Sequence, residues 1–374
     1  MDGPGVLQVI RPAGGGMVNH VRLLLEGLVR RGFATAVACP GDAGEELAAA
    51  GVPVYPLFLT GEMSWAHDLV DIWRLSLILR SGAFDLVHAH GLKAATVTLA
   101  AARLAGRVRT VYTAHGATPV LDGSWEHLRL RAAGGLLRRY DCVVAVSQHT
   151  RRTVSTALGL DPSQVRVIYN GIEVPRVIPP RGAPGGCPVV GMVARLAPRK
   201  GVEVFLQAAR LILREFPRTR FLVAGDGPLW PQLKQLAESL GLSGHVLFTG
   251  RLREAAGLMP FLDVFALPSL QEDLPLALLE AMARGRPVVA ARTGGVAEVV
   301  SEGTGILVPP GDAGALAAQV GRLLGDRGLA ERLGRAARRS VLLRFDVRRM
   351  QDETTALYQG LRAGDMGLAG VRGA

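Results

Sequence analysis

Short apolar runs that end in polar or glycine residues alternate with longer amphipathic stretches along nearly the whole chain, and this alternation fixes the fold class. Val6–Ile10 is the first such run, followed by Arg11-Pro12-Ala13 and three glycines, Gly14, Gly15 and Gly16. From Met17 the apolar residues take helical spacing, with Val21, Leu24, Leu25 and Leu28 on one face, until Gly32. A strand, a glycine turn and a helix make the opening unit of a doubly wound sheet. Strands follow at Thr35–Cys39, Val52–Pro56, Asp85–His88, Val108–Thr113, Cys142–Val146 and Val165–Tyr169. A helix is predicted over Asp68–Leu79, with Leu69, Ile72, Leu75 and Leu79 turned inward.

Residues 175–188, PRVIPPRGAPGGCP, interrupt this order and read as an interdomain linker. The alternation restarts at Val189–Val193 and continues through Arg220–Ala224, Val246–Phe248, Val264–Leu267, Pro287–Ala291 and Thr304–Val308. Helices are predicted near Val202–Arg214, Leu229–Leu240, Ala313–Leu324, Leu329–Arg344 and Val347–Leu361, and the Gly-rich Ala363–Ala374 reads as a frayed end. The 374 residues suffice for two domains that each bury a core. The expectation is α/β, two Rossmann-like domains facing each other across a cleft. Residues 1–178 form the first and 188–345 the second, with the helix at 347–361 packing back on the first. No 20–50-residue repeat recurs. Polar residues gather at strand ends (His88-Ala89-His90-Gly91, His115-Gly116, Ser147, Asn170-Gly171), where open α/β sheets bind ligands.

Hydrophobic residues at 49% and charged residues at 20% exclude a disordered chain. The net charge of +11 favours acidic partners such as nucleotides, phosphates, an anionic membrane surface or nucleic acid. Of the 43 basic residues only Lys93, Lys200 and Lys234 are lysine. Cys39, Cys142 and Cys187 have no CxxC spacing, which speaks against a disulfide framework or a thiolate metal site and for a reducing compartment. No signal peptide and no membrane span are read, so the expected location is cytoplasmic, with a peripheral position on the inner face of the membrane. No G-x-G-x-x-G is present, so a nicotinamide site is unsupported. The glycine run has two readings, a tight turn or an anion cradle at a helix N-terminus.

Ser269–Gly295, SLQEDLPLALLEAMARGRPVVAARTGG, reads as loop, helix, turn and strand. Pro275 suits the first helical turn and Gly285 the left-handed position that ends the helix. Glu272 and Asp273 fit the bland role of acids at a helix start. Glu280, inside an apolar helix, does not, because buried carboxylates need partners. The run E-D-L-P-L-x-L-L-E-A-M-A-x-G-x-P-V-V-A resembles the E-x7-E element of retaining, GT-B-fold glycosyltransferases of family 4 (glycosyl transferases group 1). Asp273 stands where glycine is commonest in that family. Met192–Gly201 is similar to the family's strand-to-helix loop, Ala224–Pro228 to its G-D-G-P turn, and Gly294, Gly295, Glu298 and Gly305–Asp312 extend the likeness.

The resemblance implies transfer of a hexose from a nucleotide diphosphate sugar, UDP- or GDP-linked, to a hydroxyl acceptor in cell-envelope or exopolysaccharide synthesis. Arg195 and Lys200 would hold the diphosphate, whose charge grows as the glycosidic bond breaks. Glu280 would accept from the ribose hydroxyls, and Glu272 would touch the sugar beside the backbone of Asp273, Leu274, Pro275 and Leu276. His115 would face the donor sugar, Gly14–Gly16 would close over the diphosphate, and Asp226 is read as structural. His88 and His90 are read as core or supporting groups. Retention implies front-face attack, without a covalent nucleophile and without an essential metal or other cofactor. A glycosidase would need two carboxyls about 5–5.5 Å apart across the scissile bond, which nothing here demands. A sugar-nucleotide epimerase of the same fold and a basic nucleic-acid-binding protein are the alternatives, the second weakened by 5% aromatic residues. Between Arg103 and Arg152 nine arginines face only Asp122, Glu126 and Asp141, and Trp125–Tyr140 reads as a solvated helix face or a contact with anionic lipid.

Overall fold

The computed structural model describes residues 4–11, 15–60, 64–106, 108–116, 134–177, 186–252 and 255–364. The chain divides into two compact units, Met1–Gly171 with Val347–Ala374, and Ile172–Asp346.

In the first unit the elements run β1 (Gly5–Ile10), α1 (Gly16–Arg30), β2 (Ala34–Cys39), α2 (Gly41–Ala48), β3 (Val54–Pro56), α3 (Trp65–Arg80), β4 (Leu86–His90), α4 (Leu92–Ala105), β5 (Arg109–Ala114), β6 (Cys142–Ala145), α5 (Gln148–Leu158) and β7 (Val165–Val167). The strands form one parallel sheet in the order β3-β2-β1-β4-β5-β6-β7. β1, β2 and β4 to β6 are almost wholly buried, as strands covered on both faces must be. One face packs α1 and the C-terminal helix (Val347–Ala363) through Val6, Leu24, Leu28, Leu86, Val111, Leu357 and Tyr358. The other packs α3 and α4 through Leu7, Leu75, Val87, Leu99 and Tyr112.

α3 departs from the sequence reading. Leu75 and Leu79 are buried and Ile72 half-buried, but Leu69 is 63% exposed. Two apolar stripes run along this helix, and spacing alone does not choose between them. Asp71 makes the choice. Its buried carboxylate accepts the Phe58 N–H at 3.0 Å and turns the 71/75/79 stripe inward.

The second unit runs β8 (Val189–Val193), α6 (Val202–Glu215), β9 (Arg220–Ala224), α7 (Trp230–Ser239), β10 (Val246–Gly250), β11 (Val264–Leu267), α8 (Leu276–Ala283), β12 (Val288–Ala291), α9 (Val296–Val299), β13 (Ile306–Val308), α10 (Ala313–Gly325) and α11 (Arg327–Arg344). Its parallel sheet has the order β10-β9-β8-β11-β12-β13. Strand order reverses between β1 and β4 in the first sheet and between β8 and β11 in the second. Each switch point opens a crevice at the C-terminal ends of the strands of its own sheet.

Several sequence expectations fall on residues outside the described set. These are Gly14, most of the linker (178–185), residues 125–133 of the Arg-rich segment, and 365–374 of the tail.

Candidate functional site

The second unit builds its site from the loops after β8 and β11, the pair that flanks its switch point. After β8 the chain makes a single 3-10 turn, Pro198–Lys200, and reaches Gly201 at φ +62°. A Cβ at Gly201 would lie 2.2 Å from the Pro268 carbonyl oxygen, so only glycine lets the two loops meet. The N–H groups of Leu270 and Gln271 donate to the Arg199 carbonyl at 2.8 and 3.2 Å and fasten the contact. Within that clasp Lys200 Nζ donates to Glu272 Oε1 at 2.6 Å, and Ser269 Oγ donates to the same oxygen at 2.8 Å. Glu272, Asp273 and Leu274 are buried and Arg195 is exposed.

The turn after β9 supports the Arg195 loop from the side. Leu196 N–H donates to the Asp226 carbonyl at 2.9 Å, and Leu229 N–H donates to the Leu196 carbonyl at 3.2 Å. The Asp226 carboxylate accepts the Gly227 N–H at 2.8 Å. α8 begins one residue later than Pro275, which caps it and does not enter its first turn. Gly285 follows its end at φ +68°, the left-handed geometry its position calls for. Glu280 is half-buried on this helix, and no described residue hydrogen-bonds to its carboxylate. Burial pushes its pKa up, opposed by the Arg284 guanidinium one turn on. A partly desolvated carboxylate that no described residue supplies with a hydrogen-bond donor can accept hydroxyl groups from a ligand.

The first unit carries a different chemistry. Gly15 precedes α1 at φ +62° with open space where a side chain would go, and Gly16 is exposed beside it. His115 follows β5 and is half-buried, and its Nε2 lies 2.8 Å from His90 Nδ1. His20, on the buried face of α1, meets His115 edge-on, with ring centroids 4.7 Å apart. Burial pulls the His20 pKa down to about 4 despite the Asn170 side chain, and that of His88 to about 3. His90 and His115 are likewise held well below the ordinary histidine value, first by burial and then by the neighbouring rings. These imidazoles are therefore neutral at pH 7.

Ring nitrogens of His20, His90 and His115 lie within 4.8 Å of one another, the one group among the described residues that gathers donors as a metal site does. The 2.8 Å between His90 and His115 is the spacing of a shared proton, which already uses both nitrogens. His20 Nδ1 and Asn170 Oδ1 are buried and meet no hydrogen-bond partner of good geometry among the described residues, although the two side chains are close enough to interact. Such atoms point to a ligand or an ordered water.

The sequence reading named Lys200, Glu272 and Glu280, and the structure places the first two in contact. It overlooked Ser269, Gln8, His20 and Tyr358. A glutamine inside the buried strand Val6–Ile10 was the available signal, since a polar side chain there must find a partner.

A family model described as Glycosyltransferase Family 4 matches residues 14–176, and one described as Glycosyl transferases group 1 matches residues 187–326. A GDP-mannose-dependent alpha-(1-6)-phosphatidylinositol monomannoside mannosyltransferase of Mycolicibacterium smegmatis is 33% identical over 284 residues, 70% of this chain and 72% of that relative. The chain belongs to glycosyltransferase family 4. An uncharacterized glycosyltransferase of Methanocaldococcus jannaschii is 28% identical over 92% of this chain and 94% of its own length. The crystal structure of Anabaena HepE in complex with UDP matches with a TM-score of 0.81 at 25% identity, covering 95% of this chain and 100% of that one. This family 4 glycosyltransferase has the GT-B fold of two Rossmann-like domains.

Proposed function

We propose that this family 4 enzyme transfers a hexose, with retention, from a UDP- or GDP-sugar to the hydroxyl of a lipid-linked or glycan acceptor in cell-envelope synthesis. The Lys200–Glu272 contact carries the reading. In a nucleotide sugar the anomeric carbon is joined directly to the outer phosphate. A cation for that phosphate and a carboxylate for that sugar must therefore be neighbours, as Lys200 and Glu272 are. Arg195, exposed on the same loop, supplies a second cation. As the C1–O bond breaks, the electron pair leaves with the diphosphate, and the two cations stabilise the charge that builds there. The acceptor oxygen forms the new bond to C1 from the same face and passes its proton to a leaving phosphate oxygen. Glu280 accepts from the ribose hydroxyls, and the backbone of Asp273–Leu276 meets the sugar. In the first unit Gly15 and Gly16, at the start of α1, are offered to a phosphate, and His115 to a sugar hydroxyl. Arg195 and Lys200 take the charge-neutralising role that a divalent cation would otherwise fill.

The named relatives support the donor and acceptor classes. Besides GDP-mannose and phosphatidylinositol monomannoside, they include an Escherichia coli enzyme named for UDP-Gal and a diphosphoundecaprenol-linked acceptor, 27% identical over 80% of this chain. A place on an anionic membrane is supported by α3. Trp65, Leu69, Trp73 and Leu77, spaced four apart, are 74%, 63%, 61% and 45% exposed. The acids of that helix add no free negative charge there, for Asp68 pairs with Lys93 and Asp71 is buried, while Arg74 lies over the exposed Phe58 ring. An apolar stripe with tryptophans and an excess of positive charge suits the lipid interface.

The test is turnover of UDP- and GDP-sugars with a lipid-linked alcohol, followed by proton NMR of the product. An anomeric configuration matching the donor, undiminished by EDTA, is expected. An inverted product or loss of turnover with EDTA contradicts the mechanism. Sedimentation with phosphatidylglycerol vesicles, abolished by Trp65→Ala with Trp73→Ala, is expected from the α3 stripe.

A further inference from the structure

Gln8, His88 and His90 stand inside otherwise apolar strands, and the registers Gln8↔His88 and His90↔Thr113 put them on one face of the sheet with Thr113. Val6, Leu86 and Val111 line the same face and pack with Tyr358 of the C-terminal helix. Gln8, His88, His90, Thr113 and Tyr358 are all buried, so their polar atoms have to satisfy one another. They do so in a single chain. Gln8 Nε2 donates to the Tyr358 hydroxyl at 3.1 Å. The tyrosine's own O–H then donates to His88 Nδ1 at 2.5 Å, and His88 Nε2–H donates to Thr113 Oγ1 at 2.7 Å. On the other side Gln8 Oε1 lies 2.8 Å from His90 Nε2 and accepts its proton. A neutral imidazole has one N–H, so His90 Nδ1 is left as an acceptor. It takes the proton of His115 Nε2, 2.8 Å away.

We propose that Gln8 and Tyr358 are positioning residues that hold His115 in its Nε2–H tautomer, so that Nδ1 offers a lone pair to a substrate hydroxyl. His115 can then accept from a hydroxyl but cannot donate to an anion through that nitrogen. One amide sets the direction. Turning Gln8 over would reverse every donor along the chain and place a proton on His115 Nδ1. Tyr358 ties the amide to the His88–Thr113 arm, which gives the C-terminal helix a part in the chemistry beyond packing. This proposal rests on the reading that His115 meets a sugar hydroxyl, and its test keeps the two apart.

The whole protein, labelled with 15N-histidine, is examined by NMR, with His115 assigned from the spectrum of His115→Gln. A protonated Nε2 and a bare Nδ1 are expected in the wild type. Tyr358→Phe keeps the ring packing but removes the link, and Gln8→Met removes the amide. Both variants are expected to show mixed tautomers, with kcat lowered in proportion to the lost Nε2–H fraction and the nucleotide-sugar KM within about twofold of wild type. A proton on Nδ1 in the wild type, or the wild-type tautomer in both variants, overturns the relay. The expected tautomer together with full turnover in His115→Gln overturns the part assigned to His115 in the reaction.

Discussion

Among single residues, the contact between Lys200 and Glu272 is the one on which the proposed site rests. Both sit in loops that a motif reading singles out, because one of only three lysines in an arginine-rich chain and paired carboxylates eight residues apart are visible in one dimension. Gln8 and Tyr358 are 350 residues apart, and nothing local marks them as partners. Ser269 was illegible for another reason, since a serine in a loop has many ordinary uses. Lys200→Ala removes the cation proposed for the diphosphate and leaves the buried Glu272 carboxylate with the Ser269 hydroxyl as its one side-chain donor among the described residues. Donor kcat/KM is expected to fall about 10²–10³-fold, and stability by about 1–3 kcal/mol. Asp226→Asn, in the supporting turn, is expected to shift the unfolding midpoint while leaving donor KM within about twofold. Steady-state kinetics beside denaturant titration separate the two outcomes.

At the scale of elements, strand positions were legible because fully buried parallel strands write themselves as apolar runs. β8, β9 and β11 fall where those runs predicted. The inward face of α3 was not legible, because its two apolar stripes compete and a tertiary bond from Asp71 to Phe58 decides between them. Nor was the closeness of the loops after β8 and β11, which depends on a missing side chain. Gly201→Ala places a methyl group against the Pro268 carbonyl and forces a left-handed backbone on a residue that resists it. The loops must part, so donor affinity is expected to drop at least about tenfold, while far-UV circular dichroism stays unchanged. Wild-type affinity in that variant would show that the clasp does not position Lys200.

At the scale of the whole molecule, the division into two sheets followed from the proline- and glycine-rich break. The cluster of neutral histidines in the first unit makes its stability depend on pH. His20 and His88 keep folded values of about 4 and 3, below the unfolded value of 6.5. Between pH 6.5 and 4 the unfolded chain binds protons that the folded chain refuses, so stability is complete above pH 6.5 and falls with acidification. Each such histidine costs about 1.4 kcal/mol per pH unit across that window. Urea unfolding at pH 7 and pH 5 measures the difference, and equal midpoints would contradict the buried neutral cluster. Titration calorimetry of UDP and GDP against the wild type and Glu280→Ala decides whether Lys200, Glu272 and Glu280 form a nucleotide-sugar site. One nucleotide binding the wild type and losing at least about tenfold in affinity, or ~1.4 kcal/mol, in the variant is the expected result. Equal affinity in both proteins, or no binding of either nucleotide to the wild type, would contradict it.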